Sequence, residues 1–279
     1  MTGSVPKRHG SLSTVLINAP YTLWAAVFIV VPLAIVAYYA FTDASGAFTL
    51  ENIKSLGEYK ETFIVSIWYS LVATAVTLVL AYPFAFFMSR AKASAQRFMM
   101  MLVMLPMWMN LLIRTYSWML ILEKNGIINN ILGMIGFEEL KMIGTPGAVI
   151  LGMVYNYLPY MILPIYTVMS KIDPSLYEAA EDLGCGTWQT LRRVVLPLSL
   201  PGVISGITMV FVPSISTFYI SYKLGGGKVQ LIGDAIERQI QTAGNYNLGS
   251  ALSLILMIFI LISLAVMNKF SDNDGGMIV

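Results

Sequence analysis

The sequence predicts an all-α integral membrane protein with six transmembrane helices. Three observations carry that expectation. The chain is 57% hydrophobic and only 11% charged, with a mean hydropathy of +0.73, whereas soluble domains carry roughly 25% charged residues. Six apolar segments are each long enough to cross a ~30 Å hydrocarbon core, a distance that takes about 20 helical residues. Basic residues crowd one short loop between two of these segments, which sets the side that loop faces.

The segments run over about 21–41, 64–88, 98–122, 146–169, 198–221 and 248–267. Lys7 and Arg8 precede the first of them. That run is too long for the apolar core of a secretion signal and no small-residue cleavage site follows, so it is expected to stay as a span. Arg90, Lys92 and Arg97 fill the loop between spans two and three and direct it to the cytoplasm. Alternate counting then puts both termini and the 171–197 loop in the cytoplasm. Lys7 and Arg8 agree, while Lys223, Lys228 and Arg238 of the outer 222–247 loop weigh the other way. Residues 1–279 read as one membrane domain, without a soluble domain, low-complexity tract or repeat.

Prolines fall inside five of the six spans: Pro32, Pro83, Pro106, Pro159, Pro164 and Pro213. Each removes a backbone donor and bends its helix, which favours a bundle of bent helices around a path. Two loops read as outer elements. Ile127, Ile128, Ile131, Leu132 and Ile135 recur at helical spacing, as do Val229, Ile232, Ile236 and Ile240, so each stretch is expected to form a short amphipathic helix.

Composition excludes several functions. A net charge of +2 does not suggest a nucleic-acid partner. Cys185, the single cysteine, rules out an internal disulfide and a multi-cysteine metal site, and His9, the single histidine, a histidine-based centre. The spans hold no nucleophile or metal-ligand set for an intramembrane enzyme. Gly225-Gly226-Gly227 lacks a following Lys-Ser/Thr, so it reads as a flexible link, and no Walker-type Gly-x4-Gly-Lys-Ser/Thr sequence occurs.

The 171–197 loop is the most informative stretch. Asp173-Pro174 is a helix start, with Asp accepting from free amides and Pro suited to the first helical position. Leu176, Ala180 and Leu183 then share one face. Gly184 is the expected C-terminal stop, because glycine enters the left-handed conformation without penalty. Thr187 is expected to cap a second helix and Pro197 to end it. Ala179 and Ala180 give a knuckle with little bulk for a close partner, and Glu178, Glu181 and Asp182 supply orienting charge around it. The order Glu178-Ala179-Ala180, three residues, Gly184, nine residues, Val194-x-Leu196-Pro197 resembles the EAA loop of ABC importer permeases. Only Val194, where that family usually has Ile, departs from the pattern. The resemblance implies the type I ABC importer permease fold and assigns ATPase coupling to Glu178, Ala179, Ala180, Gly184, Leu196 and Pro197.

Further runs are similar to the PotB-type permeases of spermidine/putrescine importers: Leu80-Ala81-Tyr82-Pro83-Phe84-Ala85, Leu112-Ile113-Arg114-Thr115-Tyr116, Leu158-Pro159-Tyr160 and Phe218-Tyr219-Ile220-Ser221. This likeness implies a subunit of a bacterial inner-membrane importer, in contact with lipid. Its partners would be a second, PotC-type permease, two ATPase copies and an external solute-binding protein seated on the outer loops. ATP and Mg would be bound by the ATPase, with no cofactor in this chain.

The expected path candidates are Trp108, Asn110, Arg114 and Ser117 in span three, Asn156 and Tyr160 in span four, and Ser214, Ser216, Thr217 and Tyr219 in span five. Asn110, Arg114 and Ser117 would share one helical face. A charge inside the bilayer costs about 2.5–3.5 kcal/mol on insertion scales, so Arg114 should face protein or water. A polycation passing a path with this arginine and no intramembrane carboxylate would rely on ring faces, worth ~0.5–2 kcal/mol each, and on carboxylates of the partner permease. The alternative solute is an anion or another small molecule, for which Arg114 would be a direct ligand.

Overall fold

The computed structural model describes residues 12–275, with side chains described from 19 to 269. Lys7, Arg8 and His9 lie outside the described residues. The helices are, in order, α1 (Ala19–Ala40), α2 (Glu51–Arg90), α3 (Ala93–Trp108) and α4 (Leu111–Leu122). Then follow α5 (Ile127–Met134), α6 (Pro146–Met169), α7 (Pro174–Asp182) and α8 (Thr187–Ile215). The last are α9 (Tyr219–Leu224), α10 (Ile232–Glu237) and α11 (Tyr246–Lys269). Among the described residues five helices are long and apolar enough to cross a membrane, and α3 with the chain after it makes a sixth when the bent pair is counted as one span.

Helix α6 is the centre. It packs on α2 and α8, while α11 packs on α1 and α8. Burial confirms the order: 61% of the apolar window of α6 is enclosed against 6% for α1, so α1 offers its rings and aliphatic side chains outward. The tight α6–α8 contact is made by small residues. A Cβ on Gly202 would come within 2.8 Å of the Pro164 carbonyl oxygen, and one on Gly206 within 2.6 Å of Met161 Sδ. Glycines four residues apart let two membrane helices approach to backbone contact, where lipid-like tails offer no hydrophobic drive. Across the other side, the Tyr82 hydroxyl meets Ser199 Oγ at 3.0 Å and ties α2 to α8.

Prolines act here in two ways. Pro32 and Pro197 each follow a π-helical turn, Ala26–Val30 and Leu191–Val195. In both, the residue just before the proline donates to a carbonyl five residues back: Val31 to Ala26 and Leu196 to Leu191. The wider turn makes room for a ring that would otherwise press on the carbonyl four residues back. The helix therefore runs on through Pro197, which corrects the expectation that Pro197 ends it. By contrast, Pro106 and Pro213 each lie two residues before a helix end, at Trp108 and Ile215.

Span three is accordingly not one straight helix. The chain turns by 93° between Ala93–Trp108 and Leu111–Met134. Asn110 Oδ1 accepts from the Leu112 amide at 2.7 Å, so Asn110 is the N-cap of α4. It does not share a helical face with Arg114 and Ser117 as expected. Capping removes Asn110 from the helix proper because its side chain satisfies an otherwise free amide at the new start. Both stretches expected to be short amphipathic helices contain helix, as α5 and as α10 with the π turn Arg238–Thr242 that follows it, while Val229 of the second stripe lies before the helix start.

Candidate functional site

The loop carrying the Glu-Ala-Ala sequence is an elbow of α7 and α8. Asp173 Oδ1 accepts from the Ser175 amide at 2.9 Å, and that hydrogen bond holds the carboxyl below its ordinary pKa. Helix α7 ends as the sequence predicts. Gly184 has φ +75°, its amide donates to Glu181 O at 2.9 Å, and the Cys185 amide donates to Ala180 O at 3.0 Å. These paired bonds form a Schellman stop, which needs a left-handed residue at this position. Helix α8 is capped by Gly186, with Thr187 as its first residue, correcting the expected cap. Gln189 Oε1 accepts from the Gly186 amide at 3.3 Å instead.

The inward face of α7 is Tyr177 and Ala180, and Tyr177 packs in the cluster that holds Met169 and Val195. Leu176 and Leu183 point away from the chain, Leu183 being 84% exposed, so the expected face of Leu176, Ala180 and Leu183 is split. Trp188 is 72% exposed. Glu178, Ala179, Leu196 and Pro197 are exposed as well. The elbow thus presents an apolar outer edge beside carboxylates.

Sequence reading counted Arg90 only as a topology signal, yet it seats this elbow. Its guanidinium stands 4.6 Å from the Tyr177 ring centroid, 5.7 Å from that of Phe86, and 3.9 Å from Glu181 Oε1. Burial pushes the Tyr177 hydroxyl up in pKa, and the nearby Arg90 charge opposes it. Between the end of α2 and α7 lies a cavity of about 480 Å³ lined by Ser89, Arg90, Met169, Tyr177, Glu178 and Glu181 among others. The loop after Arg90 is fixed by Gln96, whose amide donates to Ser89 O and Ala91 O while its oxygen accepts from the Tyr166 hydroxyl at 3.2 Å. A basic residue at the end of a span, with an aromatic on the facing loop helix, was the available signal.

At the other end of the bundle the path candidates separate. Trp108 is 77% exposed, and among the described residues it makes no ring contact with the others. Arg114 is 7% exposed, and no described protein group accepts from its Nε or Nη1. Asn156 is 1% exposed. Its amide donates to Gly152 O at 2.8 Å, leaving Oδ1 unpaired. Beside Asn156, the Tyr157 hydroxyl donates to Pro213 O at 3.3 Å, and Tyr160 meets the Tyr157 ring edge-on at 6.4 Å. Ser216 lies in the break after α8, its hydroxyl turned back to Val212 O at 3.2 Å. Buried polar atoms without partners cost roughly 1–3 kcal/mol each, so Arg114 and Asn156 are costly groups inside the bundle.

Tyr219 opens α9, which packs on α4 and α6. Its ring meets Tyr116 edge-on at 6.4 Å. The Lys223 ammonium lies 4.9 Å from the Tyr116 ring centroid, 5.9 Å from Tyr219 and 5.1 Å from Tyr222. Sequence reading had kept Tyr219 alone from this group.

Comparison with known proteins agrees with the architecture. Residues 78–273 match the family model described as binding-protein-dependent transport system inner membrane component. The spermidine/putrescine transport system permease protein PotB of Haemophilus influenzae is 37% identical over 247 residues, covering 84% of this chain and 86% of that protein. PotB of Escherichia coli K12 is 35% identical over 245 residues, covering 84% and 89%. Among solved structures, a bacterial ABC transporter involved in import of the acidic polysaccharide alginate aligns with a TM-score of 0.76 at 18% identity, over 92% of this chain and 94% of the other. That likeness speaks for the type I importer permease fold. The chain thus belongs to the inner membrane components of binding-protein-dependent transport systems, as a permease subunit homologous to PotB.

Proposed function

We propose that this chain forms half of the translocation path of an ATP-driven polyamine importer. The observation that carries the reading is the similarity to PotB permeases across 84% of the chain. A PotC-type permease would supply the other half of the path. Two ATPase copies, holding ATP and Mg, would dock on the elbow of α7 and α8, and an external binding protein would deliver the solute. Arg90, Lys92 and Arg97 support a cytoplasmic elbow and cytoplasmic termini. Glu178, Ala179, Ala180, Gly184, Leu196 and Pro197 then act in coupling. ATP-driven closure of the ATPase pair moves the elbow, and α8 carries that movement into the bundle.

On the path, Trp108, Tyr160 and Tyr219 offer ring faces to passing amines. Asn110, Asn156 and Ser216 offer oxygen atoms, and Arg114 orders a carboxylate of the partner permease. The test is uptake of labelled spermidine and putrescine by the reconstituted four-part complex with ATP inside the vesicle-equivalent of the cytoplasm. ATP-dependent uptake is expected, and its absence with a functional binding protein overturns the polyamine reading. A second reading, import of an anion, is favoured by the buried Nε and Nη1 of Arg114, from which no described group accepts. It predicts anion-stimulated ATPase activity that Arg114→Gln abolishes.

A further inference from the structure

The three rings around Lys223 come from two elements distant in sequence: Tyr116 from α4, Tyr219 and Tyr222 from α9. All three centroids lie within 5.9 Å of the ammonium. A cation within about 6 Å of a ring centroid is held by the ring quadrupole. Among the described residues no carboxylate pairs with Lys223. The neighbouring Tyr116 hydroxyl raises its pKa above the ordinary lysine value. The site is therefore an aromatic cation site filled by the chain itself. The filling group matters chemically. A lysine side chain is four methylenes ending in a primary ammonium, and the aminobutyl arm of a linear polyamine is the same unit.

We infer that Lys223 is a tethered ammonium occupying a cation subsite made by Tyr116, Tyr219 and Tyr222, and that a solute aminobutyl arm binds these rings in competition with it. Resting on the polyamine reading, this makes Lys223 a specificity-determining residue. It keeps the rings from holding small monovalent cations and yields them to a solute whose further amines find partners elsewhere on the path. Release follows when the lysine returns, so the solute is not trapped on the rings.

The simple alternative is that Lys223 only fastens α9 to α4 through Tyr116. Lys223→Met keeps the unbranched stem and its packing but removes the charge, while Lys223→Arg keeps a cation over the rings. Putrescine is titrated calorimetrically onto the purified complex without its binding protein, and co-purification of all subunits reports assembly. Lys223→Met is expected to tighten putrescine binding about fivefold, the effect of losing one competing ring-bound cation. Lys223→Arg should bind as the native complex does, and Tyr116→Leu in the Lys223→Met background should reverse the gain. Unchanged or weaker binding in an assembled Lys223→Met complex overturns the inference, because a fastener's loss does not tighten anything. Should that variant fail to assemble, Lys223→Gln is read by the same criterion. If the native complex also takes up no spermidine or putrescine with its binding protein present, the polyamine reading itself has failed. Uptake without the expected tightening overturns the tethered-ammonium inference alone.

Discussion

The elbow of α7 and α8 and the corner of α4 and α9 each set a short helix against a longer one, but they are held by different means. The elbow's turns are set chiefly by main-chain bonds. The Gly184 stop has two of them and a proline-accommodating π turn carries α8 onward, with the Asp173 cap and Arg90 as side-chain supports. The corner is held by side chains: the Tyr116–Tyr219 ring pair, Lys223 between them and the Asn110 cap. Backbone devices give a fixed shape whose outer surface is free to meet a partner. Side-chain devices can exchange partners, which suits a place where a solute passes.

This contrast is broken most sharply at Gly184. Open space surrounds its missing Cβ, so nothing but its left-handed φ resists a side chain. Gly184→Val is expected to cost on the order of 1–2 kcal/mol in the local turn and to lower coupled uptake more than tenfold while the subunit still inserts. The measurement pairs uptake with ATPase activity in the reconstituted complex; normal uptake would show that the elbow does not depend on its backbone stop. Arg90→Gln should have a smaller effect, since it removes one exposed ion pair and two ring contacts, together worth about 1 kcal/mol. A two- to fivefold loss of coupling is expected, with solute selectivity retained. A change of selectivity there would erase the distinction between the two ends.

The smallest effect on transport is expected at Asp234 on α10, which packs on α9 and acts on stability. Burial raises its carboxyl to about 6 and Glu237 adds to the rise, while the Leu231 amide bond to Oδ2 opposes it. Because the folded pKa lies above the unfolded value, ionisation costs stability. That cost is absent below about pH 4, grows as pH rises toward 6, and persists above it. Asp234→Asn keeps an oxygen for the Leu231 amide, so it should stabilise the complex by about 1–2 kcal/mol at pH 8. Thermal unfolding in detergent should show a gain at pH 8 that vanishes near pH 4. A gain independent of pH would place its origin in packing.

The elbow was legible in the sequence because caps are local. Asp173-Pro174 and Gly184 state their conformations within a turn or two of chain. The break at Asn110 was not, since Pro106 and Asn110 inside an apolar run look the same in a kinked span and in a divided one. Pro197 misled for a related reason: its relief comes from a π turn in Leu191–Val195, whose residues carry no mark of that widening. The Lys223 cluster depends on α4 lying against α9, and no local pattern joins Tyr116 to Lys223. Arg90 was visible as a charge, and only packing reveals the ring it covers.

Helix α8 runs unbroken from the elbow to Ile215, through the π turn at Leu191–Val195, and is pressed against α6 at Gly202 and Gly206. At 1.5 Å per residue the arm from Thr187 to Gly202 is about 22 Å and the arm from Gly206 to Ile215 about 14 Å. A rod turning on that contact is a lever with unequal arms and its fulcrum at two glycines. A push of about 3 Å at Trp188 swings the far tip about 2 Å in the opposite direction. Force gains what distance loses, by roughly half again. The break after Ile215 means that this tip ends beside Ser216, so such a stroke would be delivered to the corner where Lys223 rests on its rings.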